Sequence, residues 1–227
     1  MKPGTWLEGA IRWAMTILVP VVLVLGAVRF LMTPAFIRLE YRMPNFPPDP
    51  YGLSMNDRLR WAEVSRQYLL NDAGIEFLAD LYLEDGNPLY NQRELRHMVD
   101  VKNVVKTSLI VLYSSLIGLI IIGIWAWRSG WWTRYWGALS RGGWLTVGLI
   151  GAIIIFVLVS FNTFFVSFHR VFFEGDTWLF RYSDTLIRLF PLRFWQDAFI
   201  FVGSLALVGG FVVVYLSRLI IQRRFKS

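Results

Sequence analysis

The sequence predicts an all-α integral membrane protein with four transmembrane helices, and three observations carry that prediction. First, 56% of the 227 residues are hydrophobic and 17% charged, with a mean hydropathy of +0.48; a soluble domain carries about 25% charge. Second, the apolar residues gather in four stretches, 13–32, 104–127, 144–168 and 198–216. Each suits a bilayer crossing, which takes about 20 residues at about 1.5 Å rise per residue. Third, charge sorts by segment. Residues 33–103 hold 8 basic and 11 acidic side chains, a net of −3. Arg128, Arg134 and Arg141 stand between the second and third stretches without an acid, and the tail carries Arg218, Arg223, Arg224 and Lys226, also without one. Short basic loops stay in the cytoplasm. The expected arrangement is one membrane domain, 1–227, with both termini cytoplasmic and two extracytoplasmic segments, 33–103 and 169–197.

Composition also excludes classes of function. There is no cysteine, so disulfides, thiolate catalysis and Cys-ligated metals are out. The net charge of +7 resides beside the apolar stretches, where it suits anionic membrane lipids and not nucleic acid.

The first stretch reads as an uncleaved span, because Leu25-Gly26-Ala27 is a poor cleavage site. Pro20 removes a backbone donor within it. Arg29, near its outer end, either snorkels to the head groups or contacts a phosphate or carboxylate. Five prolines in 33–50 (Pro34, Pro44, Pro47, Pro48, Pro50) predict an extended loop. Ser54 with Asp57 predicts a helix N-cap, and Leu59, Trp61, Val64, Tyr68 and Leu69 follow at helical spacing. Asn71–Gly74 breaks that pattern, a short helix is expected over 75–83, and Glu84-Asp85-Gly86-Asn87-Pro88 is a turn. The first outer segment is thus a helical cap between spans one and two.

Asn91 and Glu94 form a capping pair, and the chain runs from there without a breaker into the second span. His97 lies on those first turns, just outside the hydrocarbon. Residues 125–143 read as an inner loop whose tryptophans (Trp125, Trp127, Trp131, Trp132, Trp136, with Trp144 beyond) are interfacial anchors. The third span ends in a polar strip, Asn162, Thr163, Ser167 and His169. After Gly175, the residues Trp178, Leu179, Tyr182, Leu186, Ile187 and Phe190 share a helical face, with Arg181, Asp184 and Arg188 elsewhere. That pattern predicts an interfacial amphipathic helix, ended by Pro191. Ala206 and Gly210 suit close helix packing in the fourth span.

His97 and His169 are the two histidines, and the predicted topology puts them at the outer ends of two spans. Imidazole is the side chain that ordinarily changes charge near neutral pH. Glu94 and Asp100 lie three residues either side of His97, and Glu174 and Asp176 follow His169. A carboxylate beside an imidazole orients its tautomer and stabilises the protonated ring. The plainer reading is a charged helix end and a solvated loop. No nucleophile elbow, phosphate-cradling loop or HExxH motif is present.

At Glu94-x-x-His97-Met98-x-Asp100-Val101 and Phe168-His169-x-x-Phe172-Phe173-x-x-Asp176-Thr177-Trp178, nearly the whole chain resembles the bacterial lipoprotein intramolecular transacylase (Lit) family of four-span membrane proteins. The resemblance implies an acyltransferase of the bacterial cytoplasmic membrane whose partners are diacylated lipoproteins and membrane lipids. The sn-2 acyl chain of the diacylglyceryl-cysteine would pass to the cysteine's own α-amine, leaving an N-acylated lyso-form lipoprotein. It implies His97 and His169 as the catalytic residues, and neither cofactor nor metal. We expect His169 to act as base and His97, held by Glu94 or Asp100, as electrophilic partner, with Asp176 supporting. Arg96, Arg170, Trp178 and Tyr182 are candidates for binding substrate by proximity to these motifs. Two other classes stand beside this one: a protein ligating haem or a metal through both histidines, with Asp100 or Asp176, and a non-enzymatic docking protein.

Overall fold

Nine helices and no strand form among residues 5–224, the part of the chain that the computed structural model describes. They are α1 (Thr5–Leu31), α2 (Pro34–Glu40), α3 (Met55–Leu70), α4 (Glu76–Ala79), α5 (Gln92–Arg128), α6 (Trp132–Val159), α7 (Phe161–Phe172), α8 (Thr185–Leu189) and α9 (Leu192–Arg224). Of these, α1, α5, α6 and α9 are long and apolar enough to cross a membrane. All four begin before the stretches read from hydropathy, because the preceding Trp, Arg, Glu and Gln residues are compatible with a helix while lowering its apolarity. The inner loop expected over 125–143 shrinks to 129–131, where Gly130 takes a φ of +78°, a conformation other L-residues rarely adopt.

The chain gathers into two compact units. The first takes the described parts of Met1–Arg29, Leu109–Leu158 and Ile200–Ser227. Its buried centre is Met15, Val19, Leu119, Ala126, Trp131, Tyr135, Ala138 and Leu139. Ala206 is fully buried, and a Cβ on Gly143 would come within 2.7 Å of the Gly210 carbonyl. The bare backbones of α6 and α9 thus lie against each other, the close approach that small residues permit in helix pairs.

The second unit, Phe30–Ser108 with Val159–Phe199, joins both expected outer segments in one core. Trp61, Tyr68, Leu78, Leu89, Tyr90, Leu95, Met98, Leu186 and Leu189 are buried together. Polar ties close it: the Tyr41 hydroxyl donates to the Leu189 carbonyl (2.6 Å) and Thr185 to the Leu89 carbonyl (2.5 Å). Arg58, 2% exposed, donates to the carbonyls of Pro47 (2.7 Å) and Arg188 (2.9 Å). Ser54 and Asp57 form the full capping box that starts α3.

Four local expectations need correction. The proline-rich segment is not wholly extended, because Pro34 opens α2 as its first residue, where its missing N–H and fixed φ cost nothing. The helix expected over 75–83 is only the four-residue α4. Leu81–Leu89 turns back on itself instead, with Leu83 N–H to the Asn87 carbonyl and Leu89 N–H to the Leu81 carbonyl, both 2.8 Å. The third stretch breaks at Ser160, whose side chain accepts from the Thr163 N–H and so caps a new helix, α7. The amphipathic helix expected after Gly175 is realised only over α8. Residues 173–184 are turns, since Asp184 Oδ2 takes the Arg181 N–H at 2.8 Å, a local bond that competes with helix.

Candidate active site

The site is built on the first turns of α5 and the end of α7. Asn91 Oδ1 accepts from the N–H groups of Arg93 (2.9 Å) and Glu94 (3.1 Å), while Glu94 Oε2 accepts from the Asn91 N–H (2.8 Å). This reciprocal cap satisfies amides that a helix start leaves open. The other Glu94 oxygen accepts from the Leu186 N–H at 2.6 Å. One carboxylate, 1% exposed, therefore pins the starts of α5 and α8 together. The expectation that Glu94 holds His97 is corrected accordingly: amides at two helix starts occupy it. Glu94→Ala leaves the buried Leu186 amide unpaired. It should cost about 1–3 kcal/mol, read as a lowered thermal unfolding midpoint in detergent.

The pinned helix presents His97 inward, 8% exposed. Opposite it stands His169, half-buried in the last turns of α7, with ring centroids 6.3 Å apart and planes within 22°. The two imidazoles sit in an aromatic box. Phe173 (4.9 Å) and Phe180 (5.2 Å) pack on His97, while Phe165 (4.1 Å), Trp178 (4.9 Å) and Phe173 (5.5 Å) pack on His169. Gly175, at a φ of +67°, turns the chain after α7 so that Trp178 and Phe180 return to the pair.

The protons on His169 can be assigned. Its Nδ1 lies 2.8 Å from the Phe165 carbonyl, and a carbonyl only accepts, so Nδ1 carries the hydrogen. In the neutral ring the lone pair is then on Nε2. Burial pushes the His169 pKa below the ordinary imidazole value, the Phe165 hydrogen bond opposing it more weakly. His169 is thus a neutral ring with a basic Nε2. Nδ1 of His97 is buried without a hydrogen-bond partner, and so is the indole N–H of Trp178.

The remaining sequence candidates divide. Asp100 is half-buried and receives the Thr177 hydroxyl at 3.5 Å, a long contact that links α5 to the 173–184 turns. Of the four substrate-binding candidates, Trp178 is brought to the pair; Arg96, Arg170 and Tyr182 are exposed, as is Asp176. Among the described residues no three His, Cys, Asp or Glu side chains gather as a metal site would require. Phe165, Phe173 and Phe180 were missed as site residues. The signal was in the spacing: Phe165, His169 and Phe173 recur every four residues, one helical face.

Fold and site together define a multi-pass α-helical membrane protein with a buried imidazole pair in an aromatic box. The family model for the lipoprotein intramolecular transacylase Lit matches residues 13–195, and the chain belongs to that family. An uncharacterized protein of Aquifex aeolicus (strain VF5) is 32% identical over 187 residues, 82% of this chain and 83% of its own length. The membrane-integral lipoprotein intramolecular transacylase Lit of Bacillus cereus has the same fold. Its structure superposes with a TM-score of 0.77 at 22% identity, covering 96% of this chain and 100% of that one. A second structure of the same protein, with one histidine replaced by arginine, gives a TM-score of 0.70 at 21% identity, covering 98% and 97%.

Proposed function

We propose that this protein is a lipoprotein intramolecular acyltransferase that moves the sn-2 acyl chain of a diacylglyceryl-cysteine to that cysteine's own α-amine. The observation that carries the reading is the neutral His169, its proton held on Nδ1 by the Phe165 carbonyl, facing His97 inside an aromatic box. The family supports the substrate class. Donor and nucleophile both belong to the substrate, so the protein's task is to bring amine and ester together, move a proton and stabilise an oxyanion.

In this mechanism His169 Nε2 takes a proton from the α-ammonium. The freed amine attacks the ester carbonyl carbon, and the C=O electron pair moves onto oxygen. The N–H of neutral His97 donates to that oxyanion. The tetrahedral centre collapses, the C–O bond to glycerol breaks, and the glycerol oxygen takes up a proton from the His169 imidazolium. Nε2, freed by that transfer, takes the second proton from the former amine as the amide forms and releases it to water, so the net change is the one proton that the ammonium carried. The aromatic rings exclude water, which would otherwise hydrolyse the ester. The short basic segment with Arg128, Arg134 and Arg141 and the basic tail support both termini in the cytoplasm and an extracytoplasmic site. That is the leaflet where a diacylated lipoprotein presents its glycerol and amine.

The test is direct. Purified protein in phospholipid vesicles is incubated with a synthetic diacylglyceryl lipopeptide, and the product is fragmented in a mass spectrometer. An isomer of unchanged mass with one acyl group on nitrogen supports the reading; unchanged lipopeptide opposes it. The pH profile gives a second check. A base must be deprotonated, so turnover falls as pH drops through the His169 pKa. Because burial lowers that pKa, the acid limb should lie below the ordinary imidazole value of about 6.5. Half-loss of turnover well above that value would assign the base elsewhere.

A further inference from the structure

We infer that Trp178 is a catalytic residue of this site, its indole N–H being a second donor to the oxyanion beside His97; the inference rests on the transacylase reading above. Indole is an apolar ring with one donor, and a buried Trp N–H ordinarily finds a partner. The Trp178 N–H is buried and finds none, and leaving a buried donor unpaired is costly. The ring itself packs on the proposed base, 4.9 Å from His169 between centroids. An unpaired donor carried on a ring that packs against the base suits an oxyanion pocket: it gains its partner only when charge develops on the substrate oxygen.

The surroundings narrow the choice of partner. The rings packed on the two imidazoles, Phe165, Phe173 and Phe180, carry no acceptor, and the Phe165 carbonyl is engaged by His169 Nδ1. The N–H is also shut off from solvent. An ester carbonyl that enters the box beside His169 brings an oxygen able to take this hydrogen bond. When the amine attacks and the C=O pair moves onto oxygen, the Trp178 N–H donates to that oxygen alongside His97. When the C–O bond to glycerol breaks, the pair returns to the carbonyl. The proton on Trp178 Nε1 never leaves.

Two replacements separate donor from wall. Trp178→Phe keeps an aromatic ring but loses the N–H. Installing 3-benzothienylalanine at position 178 keeps the bicyclic shape and replaces N–H by sulfur. Both are compared with wild type in vesicles by kcat and KM on the diacylglyceryl lipopeptide, with thermal unfolding as the folding control. The expected result is a kcat lower by about 100-fold in both, with KM within about threefold and the unfolding midpoint of the benzothienyl protein unchanged. Undiminished kcat in the benzothienyl protein overturns the assignment, as does a rise in KM alone, since either makes the ring only a wall. An inactive wild type overturns the transacylase reading itself; an active wild type with fully active variants overturns the Trp178 assignment alone.

Discussion

His169→Ala is expected to lower transacylation by about 10³-fold or more, the largest effect of any substitution in this chain. General-base catalysis contributes about 10²–10⁴-fold, and the one other imidazole at the site, His97 at 6.3 Å between centroids, is already committed to the oxyanion in this mechanism. The ring is surrounded by Phe165, Phe173 and Trp178, none of which accepts a proton. Removing the ring also leaves a hole in the aromatic box, so lost activity alone would not separate chemistry from packing. Added imidazole separates them. It fits the space that the alanine leaves, and it should restore part of the rate with a dependence on its neutral fraction. Rescue that tracks neutral imidazole identifies a base. His169→Phe, which refills the volume with an apolar ring, should stay inactive and fold normally. An active Phe variant would show that the position is only structural.

His97→Ala should lower kcat by about 10²–10³-fold, the loss that follows removal of one oxyanion donor. His97 is more buried than His169 and receives no hydrogen bond on Nδ1. It also makes no ion pair with Glu94, whose oxygens serve the amides of Asn91 and Leu186. A neutral ring donates one hydrogen, so a neutral donor of similar reach should do part of the work. His97→Gln is therefore expected to regain about tenfold over alanine, with KM unchanged. Loss of substrate affinity without loss of kcat would recast His97 as a binding residue. The double replacement of His97 and His169 should be little worse than His169→Ala, because the two act in one step.

The long apolar helices were legible because bilayer thickness leaves a plain mark on composition. The caps at Ser54 and Asn91 were legible because each carries its partner three residues on, and both form as expected. Competition between near and distant partners was less legible. Ser160 reads as one more residue of an apolar run until its hydroxyl takes the Thr163 N–H and restarts the helix as α7. Glu94 reads as a neighbour of His97 until the Leu186 N–H, distant in sequence, claims its second oxygen. The aromatic box lay between these cases. Phe165 and Phe173 follow from the helical repeat through His169, whereas Phe180 and Trp178 reach the pair only because the chain turns at Gly175.

The decisive measurement is the position of the acyl chains on a lipoprotein made in a bacterium that lacks its own lipoprotein N-acylating activity. Wild type, His97→Ala and His169→Ala are expressed there at matched membrane levels, and a lipoprotein's N-terminal lipopeptide is fragmented. Intramolecular transfer leaves the mass unchanged, so the fragments decide. With the wild type, one acyl chain should leave the glycerol and appear on the cysteine amine, and both variants should retain the diacylglyceryl form. A diacylglyceryl lipopeptide in all three strains, with the protein present in the membrane, would contradict the transacylase reading; N-acylation persisting in both variants would contradict the histidine pair.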